Sequence, residues 1–298
     1  KFYKSTCPKE LVEIIDRFTS LKLGRVRYSL TGDSSRNLVV LMHGLTTPKE
    51  VFDDLTEVLV SKEFQVLAFD FYGRGLSDHI QPIESEKVYV DQTIELIEKF
   101  VPFQSDRNIH LLGYSAGGSI ASMVAVEIEN LVSSLTLVAS TGLPYSPTSP
   151  ALFDMLETVY SNGEINEELK KSVEELIFNE FQLIKNSDTR EKLLDLIVER
   201  GFWNHDTIQT VRGHLKATGG YLGDSSINHI FEKIGYLNIP TFILCGEKDN
   251  WVNPEAGRKM NSLITSSKIV EFEGISHWAF LQEPEIYSEK IIDFLVST

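Results

Sequence analysis

Cysteine is scarce. Cys7 and Cys245 are the only two in 298 residues, and Cys245 falls inside an apolar run that reads as a buried strand, so disulfides are excluded as the organising framework. The scarcity favours a reducing compartment, and a cytoplasmic location is expected. Long apolar runs are missing as well. Stretches such as Leu38–Met42 and Thr241–Cys245 fall far short of the roughly 20 residues that span a bilayer, so no membrane span is expected. Basic residues are outnumbered: 28 Lys and Arg against 43 Asp and Glu give a net charge of -15, which repels phosphate backbones and argues against nucleic acid as a partner. The same acidity serves solubility and steers highly anionic small molecules away.

What is present is an alternation. Short β-rich apolar runs at Asn37–Met42, Phe64–Phe69, Ile109–Leu112 and Leu135–Ala139 are separated by helical patterns at Pro48–Val60, Glu86–Phe100 and Ala116–Glu129. Strands alternating with helices predict a parallel sheet, and their nearly continuous apolar character predicts helices on both of its faces. The pattern breaks at the cluster Pro144-Tyr-Ser-Pro-Thr-Ser-Pro150. Beyond it, Leu169, Val173, Leu176 and Ile177, then Leu193, Leu194, Ile197 and Val198, keep helical spacing, with no convincing strand before about Gly235. The alternation resumes with a strand at Thr241–Cys245, a helix at Pro254–Leu263, a strand at Lys268–Phe272 and a closing helix at Glu283–Leu295. The expected organisation is one α/β core from residues 1–143 and 236–298, interrupted by a helical cap at 144–235.

The strongest chemical signal is Gly113-Tyr-Ser-Ala-Gly117, which follows one of those strands and opens a helix rich in small residues. A serine on so tight a strand-to-helix turn needs neighbours without side chains two positions before and after it, and Gly113 and Gly117 supply them. The turn presents the Ser115 hydroxyl at the carboxyl end of the sheet, above a helix amino terminus that favours developing negative charge. An incidental serine in a glycine-rich turn is the competing reading. A hydroxyl is a weak nucleophile until a base takes its proton. Of seven histidines, His277 in Gly274-Ile-Ser-His-Trp278 lies just past the last expected strand, at the same carboxyl edge. His110 sits within a strand, His79 follows a glycine-rich loop, and His205, His214 and His229 fall in the cap. The acid that orients the imidazole is expected to be Asp249 in Gly246-Glu-Lys-Asp-Asn-Trp251, giving the chain order Ser, Asp, His. Glu247 is its nearest rival, with turn capping or surface solvation as its expected use. Backbone amides of Ala116 and of Leu45, in the loop His43-Gly-Leu-Thr-Thr47, are expected to form an oxyanion hole. His43, Gly44, Tyr114, Phe153, Trp203 and Trp278 are candidate substrate contacts, with cap packing as the plainer role for Phe153, Phe202 and Trp203.

With these residues in place, the chain resembles the α/β-hydrolases that carry a cap. The resemblance covers essentially the whole length and rests on His43-Gly44, the segment Asp70-Phe-Tyr-Gly-Arg-Gly-Leu-Ser-Asp78, the elbow at 113–117, Gly246-Glu-Lys-Asp249 and Gly274-Ile-Ser-His277, in the right order. It implies an eight-stranded, mostly parallel sheet, no metal, no organic cofactor, and a binding pocket between cap and sheet. The Gly73-Arg-Gly75 turn is expected to be structural, held by Asp78. Capped relatives that open epoxides or displace halide use an aspartate where this chain has Ser115, which disfavours those reactions. The expected activity is hydrolysis of small to medium uncharged carboxylic esters through an acyl-enzyme, so the expected partner is a small-molecule ester; oligomeric state is left open. Alternatives with the same triad are a monoacylglycerol lipase, a thioesterase, an acyltransferase, or a carbon–carbon bond hydrolase, whose relatives carry a more glycine-rich loop than His43–Thr47. A slow-turnover ligand receptor on the same fold is the alternative outside enzymes.

Overall fold

The computed structural model describes residues 12–80, 85–101, 106–143, 145, 147–203, 208–209, 211–212 and 227–298. Eight strands form one sheet: β1 (Arg17–Ser20), β2 (Arg25–Thr31), β3 (Leu38–Met42), β4 (Gln65–Phe69), β5 (Ile109–Tyr114), β6 (Val132–Val138), β7 (Thr241–Gly246) and β8 (Ser267–Phe272), in the order β1-β2-β4-β3-β5-β6-β7-β8. The pairs β1–β2 and β2–β4 are antiparallel and the remaining neighbours are parallel. The mostly parallel eight-stranded sheet expected from the sequence is thus present.

Period-two alternation divides the sheet's apolar residues between two cores. Val39, Leu41, Val66, Ala68, Leu112, Val138 and Leu244 face one layer, built by helices α1 (Asp53–Ser61) and, at the carboxyl end of the chain, Pro284–Ser297. Leu38, Val40, Met42, Leu67, Leu111, Leu135, Leu137 and Ile243 face the other, built by α2 (Lys87–Phe100) and α3 (Ala116–Glu127). Because both faces are covered, β3, β4 and β7 read as nearly continuous apolar runs, and the alternating Ser134 and Thr136 of β6 are themselves fully buried.

Between β6 and β7 the chain forms α4 (Pro150–Asn162), α5 (Glu167–Phe181) and α6 (Ser187–Leu194), which runs on into a π-helical segment, Asp195–Phe202. Proline opens α4 and Gly163 ends it in the left-handed conformation, while Asn166 and Asn186 cap α5 and α6 by accepting from Leu169 N–H and Thr189 N–H. Leu152, Met155, Val159, Val173, Ile177, Phe181, Leu193 and Ile197 bury one continuous apolar face against Phe280 and Trp278. The next helix, α7 (Asn228–Tyr236), behaves differently. Its Phe231 and Ile234 join the opposite core with Ile120, Ala121 and Met260, so α7 is a layer helix packed on α3 and on α8 (Pro254–Leu263). The helical stretch expected at 144–235 therefore divides: α4 to α6 pack together on one side, and its last helix belongs with the sheet. The short α9 (Ala279–Gln282) and α10 (Pro284–Ser297) close the chain. Among the described residues no helix is long and apolar enough to cross a membrane.

The chain crosses from β3 to β4 on one side, returns past β3 to β5, and then crosses from β5 to β6 on the other side, so the direction reverses between β3 and β5. In an open parallel sheet the crevice at the carboxyl ends of two such strands is where ligands bind. The loop after β3 holds Leu45, and the turn after β5 holds Ser115.

Candidate active site

Ser115 joins β5 to α3 with φ 54 and ψ -122. A non-glycine residue in that conformation carries roughly 1–3 kcal/mol of strain and persists only where its surroundings hold it. Here the Ser115 N–H donates to Val138 O at 2.9 Å, and the Ser115 carbonyl accepts from Gly118 N and Thr141 N. Close approach explains the flanking glycines: a Cβ on Gly113 would lie 2.3 Å from Gly117 O, and one on Gly117 would lie 2.1 Å from Met42 O. The sequence requirement for two residues without side chains is therefore a steric one. Ala116 is the first residue of α3, where amides have no partner inside the helix.

The loop after β3 lies against this elbow, since a Cβ on Gly44 would be 3.3 Å from Ser115 Cβ. Three side chains fix its backbone. The His43 Nε2 accepts from Phe71 N at 3.0 Å, which leaves Nδ1 as the donor to Gly44 O at 2.7 Å. Thr47 Oγ1 accepts from Gly44 N at 2.9 Å, and Arg74 Nε donates to Leu45 O. The Gly44 carbonyl and the Leu45 N–H belong to one peptide plane and point in opposite directions. By holding the first, His43 aims the second. Burial lowers the His43 pKa to about 3, so the ring is neutral at ordinary pH.

His43 is fully buried with both ring nitrogens bonded inside the protein, which removes it from the expected substrate contacts and makes it a support of the loop. Tyr114 and Trp278 are likewise buried, each about 1% exposed. The Tyr114 ring packs on the His277 imidazole with centroids 4.9 Å apart. Burial, with Asp249 and Glu180 nearby, pushes its phenol well above the ordinary value and keeps it neutral. Phe153, on α4, and Trp203, just after the π-helical segment, are half-buried. Trp203 packs against the cluster that contains Trp278. The side chain of Phe202, and His205 and His214, lie outside the described residues; His79 and His229 are exposed, and His110 is buried in β5 against Ser134 Oγ at 2.8 Å.

Asp249 and His277 meet directly: Nδ1 lies 2.8 Å from Asp249 Oδ2. The other carboxylate oxygen, Oδ1, accepts from Trp251 N and Val252 N, both at 2.8 Å, so the Asp249 carboxylate is fixed by its own turn while it holds the imidazole. Glu247, the rival acid, accepts from Gly274 N at 2.8 Å and steadies the histidine loop from outside. The Gly73–Gly75 turn is held chiefly by Asp70, with Asp78 as a second anchor. Asp70 accepts from Lys49 N, Leu76 N and Arg27 Nη1, while the Asp78 carbonyl accepts from Gly73 N. A Cβ on Gly75 would fall 2.1 Å from Asp70 Oδ2.

Sequence reasoning missed the surroundings of the imidazole. Trp251 stacks on it at 5.7 Å and 18°, and Trp278 meets it edge-on at 5.7 Å and 82°. Both indole N–H groups donate to Glu180 of α5. Nothing in the local sequence marks that glutamate, which sits in an acidic amphipathic helix among others of its kind.

The family model described as alpha/beta hydrolase fold matches residues 37–284. A 2-hydroxy-6-oxononadienedioate/2-hydroxy-6-oxononatrienedioate hydrolase of Pseudomonas putida is 24% identical, over 91% of each chain. A pimeloyl-(acyl-carrier protein) methyl ester esterase of Neisseria meningitidis is 26% identical, covering 86% of this chain and 76% of that protein. Among solved structures, an esterase from Exiguobacterium antarcticum superposes with a TM-score of 0.70 at 20% identity, covering 91% of this chain and 95% of that one. With its matching sheet, elbow and loop order, the chain belongs to the α/β-hydrolase fold family.

Proposed function

We propose that the chain is a serine hydrolase acting on small to medium, uncharged carboxylic esters through an acyl-enzyme. The observation that carries this reading is the 2.8 Å contact between His277 Nδ1 and Asp249 Oδ2, with the imidazole packed on Tyr114, the residue that precedes the strained Ser115. With Nδ1–H committed to Asp249, Nε2 is the nitrogen free to accept a proton.

In this mechanism Ser115 Oγ attacks the ester carbonyl as His277 Nε2 takes its proton. The carbonyl oxygen becomes an oxyanion, received by the amides of Ala116 and Leu45. His277 then gives the proton to the leaving alkoxide, and the alcohol departs. Water enters, His277 removes a proton from it, and the hydroxide attacks the acyl carbonyl. Collapse of the second tetrahedral intermediate returns the proton to Ser115 and releases the acid. Asp249 stays ionised throughout and stabilises the imidazolium as it forms. The net charge of -15 disfavours strongly anionic substrates, and α4 to α6 are proposed to form the cap that bounds the acyl pocket. Ester relatives such as the Neisseria meningitidis esterase support the choice of bond.

The test is intact-mass spectrometry after treatment with a fluorophosphonate, on the wild type and on Ser115→Ala, beside p-nitrophenyl esters from acetate to decanoate. The expected result is one adduct, at Ser115, absent from the variant, with ester turnover lost in parallel. A folded wild type that takes up no adduct and turns over no ester overturns the proposal.

A further inference from the structure

Glu180 is a charged residue type buried to 4% exposure in the penultimate position of α5, and the mechanism above makes no use of it. Burying such a group is costly unless its oxygens are fully bonded. They are. Oε1 accepts from Asn250 Nδ2 at 2.8 Å; Oε2 accepts from Trp251 Nε1 at 2.8 Å and from Trp278 Nε1 at 2.9 Å. The backbone carbonyl of the same residue accepts from Gln282 Nε2 at 3.2 Å, and that side chain also bonds Ser276, next to His277. Asn250 and Trp251 belong to the loop of Asp249, and Trp278 and Gln282 to the loop and short helix after His277. One carboxylate from the insertion thus ties together both loops that carry the acid and the base.

Its two indole partners are the rings that enclose the imidazole. Trp251 lies parallel to His277 on one face and Trp278 stands against its edge, while Tyr114 tilts across it at 38°. Both indoles are pinned by the same oxygen, so turning Trp278 leaves a buried N–H unbonded, at a cost of about 1–3 kcal/mol, and turning Trp251 gives up its part-buried bond to the same carboxylate. An imidazole held in that corner keeps the orientation in which Nδ1 faces Asp249. A role in gripping a substrate amine does not fit, because the carboxylate oxygens are already occupied by donors of the protein itself.

The geometry points to Glu180 as a positioning residue of the active site, one that fixes Trp251 and Trp278 around His277 and thereby makes the orientation of the base depend on the docking of α5. This inference rests on the serine-hydrolase reading for its kinetic consequence and on the structure alone for its geometric one. Misplacing a reacting group by about 1 Å costs about 10²-fold in rate.

The experiment compares the full-length wild type with Glu180→Met and Glu180→Gln. Three quantities are read: the ¹⁵N-indole resonances of the tryptophans, the low-field proton resonance of the His277–Asp249 hydrogen bond, and the rate of fluorophosphonate labelling of Ser115. In Glu180→Met two of the three indole resonances move, the low-field proton shifts or broadens, and labelling slows about 10²-fold. Glutamine offers one oxygen to both indoles and an amide to a rotated Asn250, so Glu180→Gln recovers most of the labelling rate. A folded Glu180→Met whose low-field proton and labelling rate stay within twofold of the wild type overturns the inference and leaves Glu180 a structural clamp. If Glu180→Met does not fold, Trp251→Phe takes its place: slowing of about tenfold supports the inference, and an unchanged rate and low-field proton refute it. A wild type that takes up no fluorophosphonate refutes the proposed function, while the low-field proton still decides the positioning.

Discussion

Asp249→Asn separates the orientation of the base from the fold that surrounds it. The replacement is nearly isosteric, and the structure dictates which way its amide must lie. Oδ1 of Asp249 receives two backbone N–H groups, from Trp251 and Val252, each at 2.8 Å. An amide NH₂ in that place would face two donors, so the asparagine oxygen takes it and the NH₂ turns to His277. The Nδ1 of His277 must then accept, which puts the ring proton on Nε2 and leaves no base for Ser115. Inverting the tautomer in a Ser-His-Asp triad costs about 10⁴-fold in kcat, or roughly 5 kcal/mol of transition-state stabilisation. Because the turn keeps both backbone bonds, the thermal midpoint should fall by only a few degrees, as expected for about 1 kcal/mol in a chain of this size. Asp249→Ala, by contrast, leaves two amides without their acceptor and should unfold much earlier. Steady-state turnover of a p-nitrophenyl ester beside thermal melts reads both. An Asp249→Asn enzyme that keeps more than a tenth of wild-type kcat would refute the assignment of Asp249 as the orienting acid.

Other expectations follow from the same geometry. His43→Ala frees the Gly44–Leu45 peptide to rotate and should lower kcat about 10²-fold with little change in KM, the signature of a lost oxyanion donor; a change confined to KM would contradict the loop's role. Ser115→Gly relieves the strain at φ 54 and should be more stable than Ser115→Ala by roughly 0.5–2 kcal/mol, after the entropy cost of glycine; equal melting of the two dead variants would mean that the elbow stores no strain. Stability should be nearly flat in mild acid. His43, held at about 3, and His110, at about 4, remain neutral in the folded chain below the ordinary histidine value of 6.5, so the unfolded chain binds two more protons there. Asp70, raised to about 6 by burial and by Glu50, and Glu86, raised to about 7 by burial, each take up a proton in the folded state and offset this. His110→Asn removes one of the two opposing histidines, so between about pH 6 and 4.5 that variant should gain roughly 1.4 kcal/mol per pH unit on acidification relative to the wild type. Denaturant melts of both at pH 6 and 5 test it, and parallel pH profiles would contradict it.

The legible parts of this fold are those whose signal is local. Strands β3, β4 and β7 are buried on both faces and read as apolar runs, and the Ser115 turn announces itself because a Cβ at Gly113 or Gly117 would strike backbone. The strands β1 and β2 escape notice because they lie at the sheet's edge and carry Arg17, Arg25 and Arg27. Arg27 belongs there only because Asp16, Glu50 and Asp70 surround it, and those partners come from three separate stretches of chain. The α7 helix looks like its predecessors in the insertion, since amphipathic periodicity tells that a face is buried and not against which layer. His43 and Trp278 stand in motifs that bring them to the site, yet both are buried and hydrogen-bonded within the protein: a motif places a residue near the chemistry, and only burial and bonding tell a contact from a support. Glu180 is the extreme case, a glutamate whose meaning depends entirely on two indoles about 70 and 98 residues away.

The same bonds decide which part of the insertion can move. The entry to α4 is tied to the acid loop by Thr148 Oγ1 on Asp249 O at 2.7 Å and by Ser149 N on Asn250 O at 3.1 Å. The end of α5 is tied to the loops of Asp249 and His277 through Glu180. Hydrogen bonds to a charged group contribute about 1.5–3 kcal/mol each, so lifting α4 and α5 off the sheet would forfeit several kcal/mol and would release the indoles around His277. The polar ties of α6 are of another kind: Lys192 to Asp53 and Thr189 to Asp54 lie at the rim, with the Lys192 side chain 50% and the Asp53 side chain 25% exposed. Such pairs contribute about 0–1 kcal/mol. Movement of α4 and α5 would therefore undo the packing around the proposed base, whereas movement of α6 re-exposes chiefly Leu193 and its neighbours. Native-state hydrogen exchange should show the amides of α6 opening at lower free energy than those in the last two turns of α5. Equal protection in the two helices would mean that the insertion opens as one body, and that the grip of Glu180 on the two indoles breaks in every turnover.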